Sequence, residues 1–251
     1  MRMTGNTILI TGAGSGIGLA LAEEFVALGN QVIVAARSRE KRAAAERRGL
    51  TNIAADISES ASIAALAARV MQEFPTTNVL IHNAAISKRE DLVRGGDSQL
   101  QEATVATNLL GPMRLTNALM PQLLTQRSAA ILIVSSGLAF VPSAFVPTYS
   151  ATKAALHSYA QSLRFQLRDT PIRVIEIPPP YVQTELGGRS QATDPNAMPL
   201  RDFVAEVMEI LNRDPDVEEV LVQRVLPHRY AAEQGRENYD AFFRKYHCRA
   251  V

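Results

Sequence analysis

The sequence predicts a doubly wound α/β protein, an expectation carried by three observations. Short apolar segments alternate with longer stretches of helical period. Those segments are continuously apolar rather than alternating, as parallel strands covered on both faces are. A glycine-rich turn joins the first apolar segment to the first helical stretch. Strand–helix repetition of this character folds into a mostly parallel sheet between two helical layers.

The elements follow in order. Thr7–Thr11 reads as a buried strand and 17–28 as a helix ending near Gly29. Gln31–Ala36 is the second strand and the charged segment 40–48 the second helix. A strand at 52–56, a helix at 61–74 and a strand at 79–82 come next. A long helical stretch covers 100–124, followed by a strand at 129–135 and a helix at 149–167. Ile172–Ile177 is the sixth strand, 203–212 a helix and 219–222 a last strand. The expected architecture is a Rossmann-type, three-layer α/β/α arrangement of about seven strands, with residues 1–251 forming one domain. The segment 181–199 lacks periodicity, and long loops of that kind are often lids.

Composition bounds the function. The chain has 251 residues and a net charge of +1, which gives no reason to expect a nucleic-acid or membrane-surface partner. Its one cysteine, Cys248, forms no internal disulfide, so a reducing compartment is expected. The N-terminus lacks a signal-peptide pattern and no apolar run is long enough to span a bilayer. Together these read as a cytoplasmic protein.

The turn Thr11-Gly12-Ala13-Gly14-Ser15-Gly16-Ile17-Gly18 lies between the first strand and the first helix. Backbone N–H groups and the dipole at a helix start attract phosphate, and glycine lets the backbone approach it. The spacing is Gly-x-x-x-Gly-x-Gly, carried by Gly12, Gly16 and Gly18, so Gly14 reads as permissive. Dinucleotide sites often place an acid after the second strand, on the adenosine ribose. Here the strand runs into Ala36-Arg37-Ser38-Arg39, with no acid before Glu40. The Arg37 guanidinium suits a 2′-phosphate, which points to NADP(H) over NAD(H).

Tyr149 and Lys153 stand four residues apart, on one face if the segment is helical. The ammonium then favours the phenolate and fits Tyr149 for proton transfer near neutral pH, while Ser136 is available to hold a substrate oxygen. An ordinary surface Tyr and Lys on an amphipathic helix is the plain alternative.

Taken in order, residues 11–18, Asp56, His82-Asn83-Ala84-Ala85, Asn108, Ser136 and Tyr149 with Lys153 resemble the short-chain dehydrogenase/reductase family, in its single-domain branch. The resemblance runs from about residue 7 to about residue 186. Glu176-Ile177-Pro178-Pro179-Pro180-Tyr181-Val182-Gln183-Thr184 is similar to a subgroup labelled DltE-like oxidoreductases. The resemblance implies catalytic roles for Asn108, Ser136, Tyr149 and Lys153. Ser136 would hold the substrate carbonyl and Tyr149 would be the general acid in reduction. Lys153 would tune Tyr149 and bind the nicotinamide ribose, and Asn108 would organise a water in a proton relay. Cofactor contacts are implied for Gly12, Ser15, Gly16, Ile17, Gly18 and Arg37. They extend to Asp56 and Ile57 at the adenine, to Asn83 and Ala84, to Tyr149 and Lys153, and to Pro179, Val182 and Thr184. Plain alternatives stay open: Asp56 as a helix N-cap, Asn108 bonding nearby backbone, and Ser135 as a structural neighbour of Ser136.

Two departures from the family pattern stand out. Ala85 replaces a glycine after the fourth strand, which any negative φ accommodates. Pro179-Pro180 replaces Pro-Gly after the sixth, and Pro180 has no N–H to donate.

The apolar segment 137–147 reads equally as core or as the wall of a substrate pocket. His157, on the Tyr149 helix and reckoned off the Lys153 face, reads as structural. His228 and His247 lack metal-ligand spacing, and no metal is expected. The tail carries Tyr230, Tyr239, Phe242, Phe243 and Tyr246, which suit docking on the body or on a neighbouring subunit. The family resemblance implies a homodimer or homotetramer.

The expected function is an NADP(H)-dependent oxidoreductase that moves hydride between nicotinamide and a carbonyl or alcohol. Alternatives are a nonenzymatic dinucleotide sensor or an epimerase or dehydratase of the same superfamily. The sensor reading predicts loss of the Ser, Tyr or Lys, and the second calls for more chain after residue 222.

Overall fold

The computed structural model describes residues 1–248; the side chains at 41–44, 245–246 and 248, which include Tyr246 and Cys248, lie outside the described residues. Six strands form one parallel sheet. They are β1 (Thr7–Thr11), β2 (Gln31–Ala36), β3 (Thr51–Ala54), β4 (Thr77–His82), β5 (Ala129–Val134) and β6 (Ile172–Ile177), in the order β3-β2-β1-β4-β5-β6. Connections leave β1 and β4 in opposite directions, so a crevice opens at their carboxyl ends.

Nine α-helices are described: α1 (Gly16–Ala27), α2 (Arg39–Glu46), α3 (Ser60–Glu73), α4 (Ser98–Val105), α5 (Gly111–Thr125), α6 (Pro147–Leu167), α7 (Leu200–Arg213), α8 (Leu226–Arg229) and α9 (Arg236–Cys248). The apolar strands bury residues on both faces, because successive side chains point to opposite sides. Ile8, Ile10, Val34 and Leu132 pack with Phe25 of α1 and Phe203 of α7. Leu9, Ile33, Leu80, Ile131 and Ile133 pack with Leu66 of α3, Leu115 of α5 and Leu156 of α6.

The expected seventh strand at 219–222 is reduced to a single parallel bridge, Glu176↔Glu219. Glu176 N–H donates to the Glu218 carbonyl and Val220 N–H to the Glu176 carbonyl, each at 2.8 Å. The next rung would need an N–H from residue 178, which is proline. On the other side, Arg164 Nε donates to the Val174 carbonyl at 3.1 Å and takes that rung's acceptor. The pairing is stopped at both ends, so the sheet has six strands.

The long helical stretch is also divided. Between α4 and α5 lies one π-helical turn, Ala106–Leu110, with Asn108 in it. Such insertions are rare in helices and concentrate at functional sites.

Candidate active site

A cleft of about 1500 Å³ opens at the carboxyl ends of the strands, and its wall includes the glycine turn, Arg37, Asp56, Ser136, Tyr149 and Lys153. At its floor, Gly12 adopts φ +68, and a Cβ there would lie 2.6 Å from the Ala84 Cα. Only glycine supplies that conformation and that approach together. A Cβ on Gly18 would meet Asn83 Nδ2 at 2.3 Å. Asn83 Nδ2 donates to the carbonyls of Thr11 and Gly12 at 3.1 and 3.2 Å. Thr11 Oγ1 accepts from the N–H groups of Asn83 and Ala84. The end of β4 therefore braces the glycine turn from behind. Ser15 takes the N-cap position of α1 with extended backbone, and Ser15, Gly16 and Ile17 line the cleft. Gly14 is not among the positive-φ glycines, in keeping with a permissive role. The helix start faces the cleft, and its leading amides have no partners inside the helix.

Arg37 stands at the cleft rim, 3.5 Å from Asp56 Oδ2. Asp56 does not cap α3, since Glu59 holds that position. Its Oδ1 instead accepts from Ser58 N and Oγ at 2.9 and 2.7 Å. Burial pushes the Asp56 carboxyl up, but the Ser58 hydrogen bonds and the Arg37 cation outweigh it and leave its pKa lowered. Ile57 follows in the same wall.

At the other end, Tyr149 and Lys153 lie on the buried face of α6. Pro147 starts that helix, with its fixed φ suited to the first turn. Lys153 Nζ donates to the Val134 carbonyl at 2.8 Å and lies 5.5 Å from the Tyr149 ring centroid. Burial lowers the Lys153 ammonium to about 8, against a raising effect from Glu176. Ser136 Oγ accepts from Leu138 N at 3.1 Å, which leaves its hydroxyl proton for another acceptor. Asn108 is fully buried. Its Nδ2 donates to the Ile86 carbonyl and its Oδ1 accepts from Ile86 N, both at 2.9 Å. A further Nδ2 contact reaches Thr152 Oγ1 at 3.3 Å. The amide thus clamps the segment after β4 to α6, one residue before Lys153.

The segment 137–147 divides between the two expected uses: Val141 is core, while Leu138, Phe145 and Val146 line the cleft. The segment 181–199 is not structureless. It contains a 3₁₀ turn, Arg189–Thr193, and its ends are stapled by the bridge Val182↔Met198. Gln191 Nε2 donates to the Val182 carbonyl and to Thr184 Oγ1. This stapling holds Val182 and Thr184 in the cleft wall, and a Cβ on Gly16 would lie 3.5 Å from Thr184. Pro179 is fixed from the far side, its carbonyl accepting from Gly137 N at 2.8 Å. Ala85 keeps a negative φ, as no described residue other than glycine has a positive one.

The tail docks on the body. His247 Nε2 accepts from Ala144 N at 2.8 Å, and the His228 and Phe242 rings meet edge to face at 4.9 Å. Arg224, His228 and Phe242 line the cleft, His228 next to Gly137. Sequence reasoning gave the tail no site residue, because nothing local ties residues so distant to Ser136.

The helix face reckoned for His157 requires a correction. The residue stands one turn after Lys153 on the same face of α6, and Nδ1 lies 2.7 Å from Glu176 Oε2. Glu176 is fully buried, and its Oε1 accepts from Ser135 Oγ at 2.5 Å. The hydrogen bond that His157 makes to the Glu176 carboxylate raises the imidazole pKa against burial. The signal for this cluster was a glutamate inside the apolar run of β6.

The chain matches the family model for short chain dehydrogenase over residues 6–195. It belongs to the short-chain dehydrogenase family. A relative in Bacillus subtilis (strain 168), the uncharacterized oxidoreductase DltE, is 44% identical over 195 residues, covering 76% of this chain and 77% of that protein. A short-chain dehydrogenase from Sphingobium yanoikuyae, solved in complex with NADPH, is 28% identical with a TM-score of 0.78 over 92% of each chain. A 3-ketoacyl-(acyl-carrier-protein) reductase from Brucella melitensis, complexed with NADH, is 26% identical with a TM-score of 0.74, covering 84% of this chain and 91% of that one. As a short-chain dehydrogenase the chain is an oxidoreductase of CH–OH or C=O groups. No helix among the described residues is long and apolar enough to cross a membrane.

Proposed function

We propose that this protein is an NADP(H)-dependent reductase and dehydrogenase of small carbonyl and alcohol compounds. The observation that carries the reading is the buried Lys153 ammonium beside the Tyr149 ring, in the cleft that Ser136 also lines. The cleft fits a dinucleotide: Gly12 and Gly18 clear space that side chains would fill, and the start of α1 faces it. Gly12, Ser15, Gly16, Ile17 and Gly18 would hold the pyrophosphate. Asp56, Ile57, Asn83 and Ala84 would flank the adenosine side, and Pro179, Val182 and Thr184 the nicotinamide side. When bound, the nicotinamide supplies the hydride.

The chain's own residues handle the proton. Ser136 Oγ donates a hydrogen bond to the substrate oxygen. Tyr149 gives its phenolic proton to that oxygen in reduction and takes it back in oxidation. The Lys153 cation favours the phenolate, so the proton leaves at a lower cost. Asn108 holds the α6 segment that carries both. The preference for NADP(H) over NAD(H) rests on Arg37, since the similar proteins include both an NADPH and an NADH complex. Arg37 and Ser38 at the rim suit a 2′-phosphate.

A cytoplasmic location and a homodimer or homotetramer complete the reading. Exposed Leu124 on α5 and Phe165 on α6 support the second.

The test measures binding of NADPH and NADH, then their consumption with a panel of aldehydes, ketones and quinones. Turnover that disappears in Tyr149→Phe, with NADPH still bound, is the expected result. Turnover unchanged in that variant overturns the reading.

A further inference from the structure

Glu176 has no role in the mechanism above, yet it is a fully buried carboxylate on β6, the strand paired with the one whose Val134 carbonyl Lys153 bonds. Its orientation follows from the sheet. On β6, Val174 packs toward α6 while Ile175 and Ile177 pack on the opposite face. Alternation therefore turns Glu176 toward α6. Ser135, following Ile133 on the same face of β5, turns the same way. The α6 residues that meet this face are Lys153 and His157, one turn apart.

Two polar partners, Ser135 and His157, fix the direction of the carboxylate in distances, and Lys153 bonds the backbone beside Ser135. Ser135 Oγ donates to Glu176 Oε1 at 2.5 Å, and His157 Nδ1 donates to Glu176 Oε2 at 2.7 Å. Lys153 Nζ donates to the carbonyl of Val134, the residue before Ser135. A buried ammonium bonded to a neutral carbonyl lacks a counter-charge in that bond, and burying a charge without one is costly. We propose that Glu176 is a positioning residue, the buried counter-charge that keeps Lys153 protonated in the active site, with Ser135 and His157 aiming its carboxylate.

The surrounding charges favour this assignment. On α6, Tyr149 and Lys153 face the cleft, and His157 faces Glu176. Glu219 Oε1 is 3.9 Å from His157 Nδ1, but its Oε2 is held by Arg229 Nε at 2.7 Å. Arg229 also pairs with Glu233, and Arg164 with Glu218. Each of these outer acids is paired with a guanidinium, Glu219 and Glu233 sharing Arg229, which leaves Lys153 and His157 as the cations nearest Glu176 among the described residues. Glu176 also raises the Lys153 ammonium against burial. His157, Glu176 and Glu219 have metal-ligand chemistry. Yet the His157–Glu176 hydrogen bond and the Arg229–Glu219 ion pair already engage these groups.

This inference rests on the reading of Lys153 as the partner of Tyr149, and two measurements separate their failures. The first is the pH profile of kcat for NADPH oxidation with the best carbonyl compound of the panel, in wild type and Glu176→Gln. The variant keeps the size and one acceptor oxygen and removes the charge. The alkaline limb is expected to move down by one pH unit or more, with KM changed less than threefold. An unmoved limb, whatever the rate, overturns the proposal. The second needs no substrate: a double-mutant cycle on stability with Lys153→Met. Glu176→Gln is expected to shift the unfolding equilibrium at least tenfold less in the Lys153→Met background, where no ammonium remains. A single variant that fails to fold alone but folds with Lys153→Met supports the proposal. Equal effects in both backgrounds, including failure to fold in both, would show Glu176 to be a packing residue. A wild type without turnover would sink the functional reading and leave the cycle intact.

Discussion

Lys153 Nζ sits 5.5 Å from the ring centroid of Tyr149, one turn along α6, with its own hydrogen bond directed to the Val134 carbonyl. A buried ammonium so placed is a field on the phenol rather than a solvated surface charge, because the low local dielectric leaves it poorly screened.

A pH dependence follows. Burial lowers Lys153 from 10.5 to about 8. The charged form, which in the proposed mechanism assists Tyr149, is present below that pH and lost above it. The reduction rate is expected to fall about tenfold per pH unit above roughly 8, as single-group titration requires. Stability runs the other way. Between about 8 and 10.5 the unfolded lysine holds a proton that the folded one has released, so stability rises with pH over that window. Lys153→Met should remove that rise in denaturant titrations, and a rise that persists in the variant would contradict the assignment.

Gly12→Ala should damage the phosphate turn itself. The added Cβ meets backbone of Ala84 at 2.6 Å and sits at φ +68, so neither side yields easily. Overpacking of this kind costs about 1–3 kcal/mol. Thermal melting should show a fall of several degrees, and NADPH affinity should drop at least tenfold. A variant that melts and binds like wild type would mean that the turn is looser than its contacts.

Arg37→Asp should reverse the cofactor preference. Removing a charge-assisted hydrogen bond to a 2′-phosphate costs about 1.5–3 kcal/mol, or tenfold and more in NADPH affinity. NADH affinity should hold or improve. Fluorescence titration of both nucleotides reads this directly, and an unchanged ratio would remove Arg37 from the selectivity argument.

Phe242→Ala tests the tail. Its ring meets His228 edge to face where His228 packs beside Gly137, in the part of the cleft proposed to take the substrate. KM for the carbonyl substrate should change several-fold while the NADPH dissociation constant stays within about twofold, since large aromatic contacts dominate local binding. Equal changes in both would indicate a general loss of α9 docking.

Much of the cleft was legible because its determinants are local. The glycine turn, Arg37 and the Tyr149–Lys153 spacing are each written within a few residues, and the helix and strand periods placed them on the right elements. The two misreadings have a common origin. The strand at 219–222 had the apolar run of a strand but lacked rungs, as residue 178 has no N–H and the Val174 carbonyl is taken by Arg164. His157 was read from its own helix, whereas its partner Glu176 lies on β6.

By itself, the sequence determined the parallel α/β sheet, the glycine turn after β1 and the Tyr149–Lys153 spacing, since hydrophobic period and short spacing are properties of neighbouring residues. Only the tertiary structure decided what surrounds Lys153. The parallel pairing of β5 with β6 aligns Ile133 with Glu176 and Val134 with Ile177, and the alternation of faces turns Ser135 and Glu176 toward α6. A slip of one residue in that register would put the carboxylate on the opposite face of the sheet. The charge that faces Lys153 is therefore a consequence of strand pairing.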